Sequence, residues 1–350
     1  MSFTKILFIG LGGAGQRHLR IFRKLLPAST IFSTYRSTGA TPLLHSDFTV
    51  DTQNTVESFF QLQRFDSLES AFAFGPNLTV ISTPTSFHRE PMMMAMEAGS
   101  GILVEKPWAE SLDGFSRFSI GMVAKKLPFH ISFQRRFHPQ IAQAHRAVIS
   151  GVIGRPMTAI FTVYSNVPSW HAYEDWHELY AVRSDMGGGV LLTEIHEIDL
   201  AIWFFGLPKA VFCSGGNRSL EKLEVEDTIQ MTLLYANFSV QIILCFMHQR
   251  PSRTFHISGT GGDIFWDDTT NTLTVLPFNA LSQFHSVTSV SNDEMFLTQA
   301  ERFLTNWTID DTISSLAAAA NSLSIVEAAK LSMKSGRAEP VGNCFTNEIF

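Results

Sequence analysis

Lys5-Ile6-Leu7-Phe8-Ile9-Gly10-Leu11-Gly12-Gly13-Ala14-Gly15 decides the fold of this chain. A short apolar run ends abruptly in glycines, and Gln16–Leu26 then carries apolar residues at helical spacing up to Pro27. Gly10, Gly12 and Gly15 match G-x-G-x-x-G between a strand and a helix, with Leu11, Gly13 and Ala14 completing the loop. The first glycine permits a tight turn, the second lets backbone approach a pyrophosphate, and the third lets helix pack on strand. Unsatisfied N–H groups at the helix start favour that anion. In this context the loop reads as dinucleotide-binding.

The pattern continues outward from the loop. Thr30–Tyr35 reads as a second strand, Asp66-Ser67-Leu68-Glu69 as a capped helix start, and His88–Ala98 as a helix. Leu78–Ser82 and Ile102–Glu105 are buried-type strands. This alternation predicts an α/β N-terminal Rossmann domain, a doubly wound parallel sheet, over residues 1–128. Phe129–Phe133 is a candidate closing strand of that sheet, and Gln140–Ile149 a helix. Longer β-type stretches follow: Met157–Ser165, Ala210–Ser214, Thr228–Leu234, Ser239–Cys245, Thr254–Ser258, Asp263–Trp266 and Thr272–Leu276. One helix, from about Gly189 to Phe205, breaks them, and Ala-rich Ile313–Ser332 is a late helix. These runs predict an α+β C-terminal domain with a large, mostly antiparallel sheet over residues 129–350, for substrate binding and oligomerisation.

Composition narrows the function classes. A chain of 350 residues favours two domains, and a net charge of −6 gives no reason to expect nucleic acid or an anionic membrane as partner. Function is therefore expected at a small-molecule site. Cys213, Cys245 and Cys344 are an odd number at wide spacing, fitting neither a disulfide framework nor a zinc site. A reducing cytoplasm is the expected location, with no signal peptide and no membrane span in the pattern. The 30 phenylalanines, many in the second half's strands, point to packing between subunits and so to a homo-oligomer, a dimer or tetramer.

The adenosine end of the expected site carries a cofactor signal. About 20 residues past the glycines, NAD-binding domains place an acid on the ribose hydroxyls. Here the second strand ends in Tyr35-Arg36-Ser37-Thr38, with no acid. Arg36 can pair with a 2′-phosphate and Ser37 can donate to it, which favours NADP over NAD. Three further stretches belong with the loop: Ser82-Thr83-Pro84-Thr85-Ser86-Phe87-His88, Glu105-Lys106-Pro107, and Gly187-Gly188-Gly189 running on to Thr193-Glu194-Ile195-His196-Glu197-Ile198-Asp199.

With these ordered motifs the chain resembles the Gfo/Idh/MocA family, which includes glucose–fructose oxidoreductase and inositol dehydrogenase. The likeness runs from the glycine loop to about residue 270. It is nearest to a subgroup marked here by Gly15-Gln16-Arg17-His18-Leu19-Arg20 and Trp170-His171-Ala172-Tyr173-Glu174-Asp175-Trp176. Such relatives are often associated with bacterial surface-sugar pathways, which suggests a sugar or nucleotide-sugar substrate by association. The resemblance implies an NAD(P)-dependent oxidoreductase moving hydride between nicotinamide and a hydroxyl or ketone carbon. The cofactor would run past Thr83, Pro84, His88 and Glu105 to Lys106 and Pro107.

The resemblance also places Lys106 beside the reacting oxygen, where an ammonium stabilises developing negative charge. His196 is the expected general acid/base, its ordinary pKa lying close to neutrality. Asp199, three residues on, shares its helical face and is a candidate support. The chain departs from the family at Thr193, where relatives commonly carry an acid. Glu194 is the nearest substitute, although one step along a helix turns a side chain by about 100°. Arg135, Arg136 and His138, with Trp170, His171 and Trp176, are candidate substrate contacts. No metal site is expected: His171 and His177 make no convincing pair, and the His196 segment lacks a second histidine at zinc-binding spacing. Two other functions remain open at this point, a non-catalytic dinucleotide-binding regulator and a reductase of non-sugar carbonyls.

Overall fold

The structure is a computed structural model that describes residues 3–37, 41–279 and 284–342. Thr38 and Cys344 lie outside the described residues. The first domain runs β1 (Lys5–Ile9), α1 (Gly13–Leu25), β2 (Ile31–Tyr35), the small hairpin β3 (Leu43–Leu44) and β4 (Val50–Asp51), α2 (Val56–Phe59) and β5 (Gln63–Phe65). It continues through α3 (Leu68–Ala73), β6 (Leu78–Ile81), α4 (Arg89–Glu97), β7 (Gly101–Glu105), α5 (Phe115–Ala124) and β8 (Phe129–Ser132). Six of these strands form a parallel sheet in the order β5-β2-β1-β6-β7-β8. Ile6, Leu7, Phe8 and Ile9 of its central strand are all buried, as strands covered on both faces require. The strand order reverses between β1 and β6, so the ligand crevice lies at their carboxyl ends, where the glycine loop and Ser82–His88 emerge.

After α6 (Pro139–Ile149) comes β9 (Pro156–Asn166), and then the segment expected as one helix from Gly189 to Phe205. It is two helices, α7 (Val190–Thr193) and α8 (His196–Phe205). The break falls at Glu194 and Ile195, whose backbones leave the regular path just before His196. Strands β10 (Ala210–Gly216), β11 (Thr228–Leu234), β12 (Ser239–Cys245), β13 (Met247–Gly259), β14 (Gly262–Asp267), β15 (Thr272–Pro277) and β16 (Phe284–Val287) complete the larger sheet around β9. With β17 (Glu339–Pro340) it has nine strands, antiparallel except where β9 meets β12. Strand β13 is much longer than the expected Thr254–Ser258. Pro251 and polar neighbours hide its first half from a periodicity reading, and its pairing with β9 slips between Met247 and Ser252.

The boundary expected after residue 128 falls immediately before β8. Strand β8 is the sixth strand of the first sheet, and the chain later returns to that sheet. Helix α9 (Asn292–Asn306) puts Phe296, Ala300, Phe303 and Leu304 into one core with Ile6, Phe8 and Phe22. Helix α10 (Ile309–Ser335) covers β8, an edge strand. Thr312 Oγ1 accepts from the Phe129 N–H at 3.1 Å, and Ser315 Oγ from the Ile131 N–H at 2.8 Å. Buried hydroxyls thus satisfy donors that an edge strand leaves open. The second sheet packs α6 and α8 on one face, while Ile160, Phe212 and Phe265 are exposed on the strands. Among the described residues no helix is long and apolar enough to cross a membrane.

Candidate active site

The glycine loop fits a dinucleotide by shape. Gly10 sits at φ +84°, where L side chains are strained, and a Cβ on it would stand 2.8 Å from the Ser82 and Thr83 backbone. A Cβ on Gly15 would collide with the Gly10 carbonyl oxygen, so helix and strand pack there as closely as backbone allows. Gly12 faces open space, where a pyrophosphate can approach. Helix α1 has no side-chain cap, which leaves its first N–H groups for an anion. Leu11 is buried beneath the loop, while Ala14 lines a cavity of about 500 Å³ that extends to His196.

That cavity gathers the chemistry-bearing side chains. Glu105, Lys106, Gln134, Arg135, Thr193, Glu194 and His196 all line it. Lys106 Nζ donates to the Thr193 carbonyl at 2.6 Å, so the residue standing where relatives carry an acid orients the ammonium through its backbone. The Thr193 hydroxyl is buried without a hydrogen-bond partner among the described residues. The first of the two helices ends at Thr193, with the Glu194 N–H still bonded to the Val190 carbonyl at 2.9 Å. Glu194 enters the cavity wall, bonded to Ser165 Oγ at 2.5 Å and Arg253 Nη2 at 2.7 Å. Burial pushes its carboxyl up, but Arg253, Ser165 and Lys106 outweigh burial and hold it below the ordinary range.

His196 is buried, with Gln134 Nε2 at 3.5 Å from its Nε2 and the Phe133 ring edge-on at 6.0 Å. Burial, then the charges of Lys106, Arg253 and Arg135, push it well below its ordinary pKa. The imidazole is therefore neutral, with a free acceptor nitrogen. Asp199 does not support it. Its carboxylate holds Arg136 through two bonds, at 2.8 and 2.6 Å, in a buried fork. Arg136 is not among the residues that line the cavity.

The remaining expected contacts divide in the same way. Arg135 lines the cavity, where burial and Arg253 lower its pKa to about 10, and Asp268 is its ion-pair partner at 3.4 Å. Trp170 also lines the cavity. His138 does not: its Nδ1 accepts from the Gln140 N–H at the start of α6, and its ring packs on Trp266. Trp176 stacks on His177, and His171 on Phe48 and Tyr173, all away from the cavity lining. His88 is buried, with its two ring nitrogens 2.8 Å from the Pro107 and Thr83 carbonyl oxygens, and the nitrogen that carries the proton donates to the loop it faces. Pro107 follows a cis peptide bond, and Thr83 and Pro84 stand half-buried beside the glycine loop.

Arg36 departs from expectation. It is 8% exposed, its Nη1 pairs with Glu57 at 3.0 Å, and its Nη2 donates to the Thr41 carbonyl at 2.7 Å. A guanidinium so committed is not free for a 2′-phosphate, and Glu57 brings a negative charge beside it. Ser37 is exposed. The tripled glycine also has a packing explanation. Cβ atoms on Gly187 and Gly189 would stand 2.8 Å from Thr85 and 2.5 Å from Glu226.

Sequence reasoning missed Gln134, Arg253 and His18. Arg253 shares the inward register of Phe255 and Ile257 on β13, which is the signal that locates it once the strand is seen whole. His18 Nε2 meets Glu105 Oε1 at 2.7 Å in the buried floor between α1 and β7. Among the described residues no group of three or more His, Cys, Asp or Glu side chains could hold a metal ion.

Residues 4–126 match the oxidoreductase family with an NAD-binding Rossmann fold, and residues 141–265 match the GFO/IDH/MocA C-terminal domain. The chain belongs to the GFO/IDH/MocA oxidoreductase family. Similar proteins include scyllo-inositol 2-dehydrogenase (NAD(+)) of Bacillus subtilis (strain 168), 28% identical over 55% of this chain and 55% of its own. Inositol 2-dehydrogenase/D-chiro-inositol 3-dehydrogenase of Lactiplantibacillus plantarum is 24% identical over 69% of this chain and 64% of its own. The matched segments thus span about half to two thirds of these relatives. Among solved structures, levoglucosan dehydrogenase with NADH and L-sorbose superposes with TM-score 0.76 at 18% identity, covering 98% of this chain and 100% of its own. An NAD-binding oxidoreductase from Klebsiella pneumoniae gives 0.81 at 16% identity, with the same coverage. At these identities the two structures bear on the fold, which in this family is the Rossmann sheet followed by the large mixed sheet.

Proposed function

We propose that this chain is a nicotinamide-dependent dehydrogenase or reductase acting on a hydroxyl or ketone carbon of a cyclic polyol or sugar. The observation that carries the reading is one cavity joining the glycine-loop helix, the Lys106 ammonium and a neutral, buried His196. A bound nicotinamide supplies the hydride acceptor or donor. In the oxidative direction His196 takes the hydroxyl proton, and Lys106 donates a hydrogen bond to the oxygen as negative charge grows on it. Burial first, and then the charges of Lys106, Arg253 and Arg135, keep His196 in its neutral form. Glu194, fixed by Arg253 and Ser165, supplies the local negative charge that Thr193 lacks. The polyol preference follows the named activities of the inositol dehydrogenases to which the chain is similar.

The coenzyme we propose is NAD rather than NADP, because Arg36 is spent on Glu57 and the Thr41 carbonyl. Fluorescence titration should show NADH binding at least about tenfold more tightly than NADPH, the added phosphate meeting Glu57 with no free guanidinium. Equal affinities would remove the basis for this choice. The enzymatic reading is tested by screening the NAD-loaded protein against inositols, anhydrosugars and nucleotide sugars. Tight dinucleotide binding with no turnover across that panel would contradict it. A homo-oligomer joined through the exposed Ile160, Phe212 and Phe265 belongs to the same proposal, and a monomer in light scattering would refute it.

A further inference from the structure

Above the glycine loop the two domains meet through aromatic rings. Phe48 lies at the tip of the β3–β4 hairpin, and His171 and Tyr173 lie on the second domain's loop after β9. The Phe48 and His171 rings stack with centroids 5.9 Å apart, and His171 and Tyr173 with centroids 5.0 Å apart. Arg17, in the first turns of α1, places its guanidinium 5.1 Å from the Phe48 ring centre while its Nε pairs with Asp293 at 2.7 Å. His171 is tethered in turn to Glu174 at 2.6 Å. The assembly therefore runs Arg17–Phe48–His171–Tyr173 across the domain boundary.

Its position is given by Gly13. A Cβ there would stand 2.8 Å from Phe48 Cε1 and 3.4 Å from the Tyr173 hydroxyl. Gly13 is the first residue of α1, whose free N–H groups are the anion-holding end of a Rossmann helix. Phe48 also has φ +65°, a conformation that a non-glycine residue keeps only when its surroundings over-determine it. The turn that closes the hairpin sets this conformation, with the Phe48 N–H bonded to the His45 carbonyl at 3.0 Å and the His45 N–H to the Thr49 carbonyl at 2.9 Å, and the stack packs against it.

We propose that Phe48, His171 and Tyr173 are an unassigned wall of the dinucleotide site, an aromatic clasp of both domains that closes over the pyrophosphate loop. This inference rests on the dinucleotide-dependent reading given above. Because a Cβ on Gly13 would meet both the Phe48 ring and the Tyr173 hydroxyl, the clasp overlies the first residue of α1 and parts when a dinucleotide enters or leaves. A gate of this kind slows both directions alike and leaves the equilibrium nearly untouched. A simple wall contact would act mainly on release.

The test is stopped-flow NADH fluorescence on the full chain, comparing wild type with Phe48→Ala and Tyr173→Ala. Opening the clasp should raise both the association and release rates by about tenfold, with Kd held within about threefold. The double variant should be no faster than the faster single variant, because one latch is being opened. Phe48→Leu keeps apolar bulk in the hairpin but loses the stack, and should move the rates in the same direction. Unchanged rates in these variants would overturn the clasp, as would faster release matched by an equal loss of affinity. A wild-type chain that binds neither NADH nor NADPH would instead defeat the dinucleotide reading itself.

Discussion

Replacing Lys106 with Met is expected to lower turnover by about 10³-fold while NADH affinity stays within about threefold of wild type. Met keeps the length and apolar body of lysine and removes only the ammonium. That ammonium is held against the Thr193 carbonyl at 2.6 Å, in the wall shared with His196. The interaction it offers the substrate oxygen strengthens as the proton leaves, so its loss falls on the transition state more than on binding. The dinucleotide would rest chiefly on the glycine loop, which the substitution does not touch. Steady-state rates with the best polyol from the screen, alongside an NADH titration, measure both effects. Wild-type turnover in this variant would sink the role given to Lys106, and loss of NADH binding would make it a cofactor contact only.

The parts of this site that were legible in the sequence are those where backbone geometry dictates residue type. Gly10 and Gly15 are required by close backbone approaches, and the strand–loop–helix context around them is local. Lys106 and His196 were legible through ordered motifs. What escaped was decided by partners distant in sequence. Arg36 looked free because Glu57 and Thr41 are met only after the chain turns back through the small hairpin. Asp199 looked like a neighbour of His196 at helical spacing, yet Arg136, 63 residues earlier, claims it. Glu194 was legible as the nearest substitute for an acid at Thr193, but the helix break at Glu194 and Ile195 was not, because no periodicity signal marks it. Helix α10 was visible as a helix, but its return to β8 depends on Thr312 and Ser315 meeting an edge strand over 180 residues away.

The ion cluster behind His196 leads to the second large effect, a pH-dependent stability carried by Glu197. Arg253 pairs with both Glu194 and Glu197, so one guanidinium serves two buried carboxylates. Glu194, with Ser165 and Lys106 also near it, is the one held ionised. Burial first, and then the Glu194 charge, push Glu197 up to about 7 against the pull of Arg253. Its Oε2 is buried without a hydrogen-bond partner among the described residues, so no donor there holds the ionised form. A carboxyl raised in the folded state binds more protons there than in the unfolded chain. Its contribution is therefore fully present below the ordinary carboxyl pKa and is lost as pH rises through about 7. The span corresponds to a loss on the order of 3 kcal/mol between pH 4 and pH 8. Glu197→Gln keeps the shape and removes the titration, leaving Arg253 matched one-to-one with Glu194. Relative to wild type, the variant should gain stability as the pH of a urea unfolding series is raised from 5 to 7, with the gain levelling off above about 7. A stability difference that stays flat over that range would mean Glu197 is ionised throughout, and that Arg253 neutralises both carboxylates together.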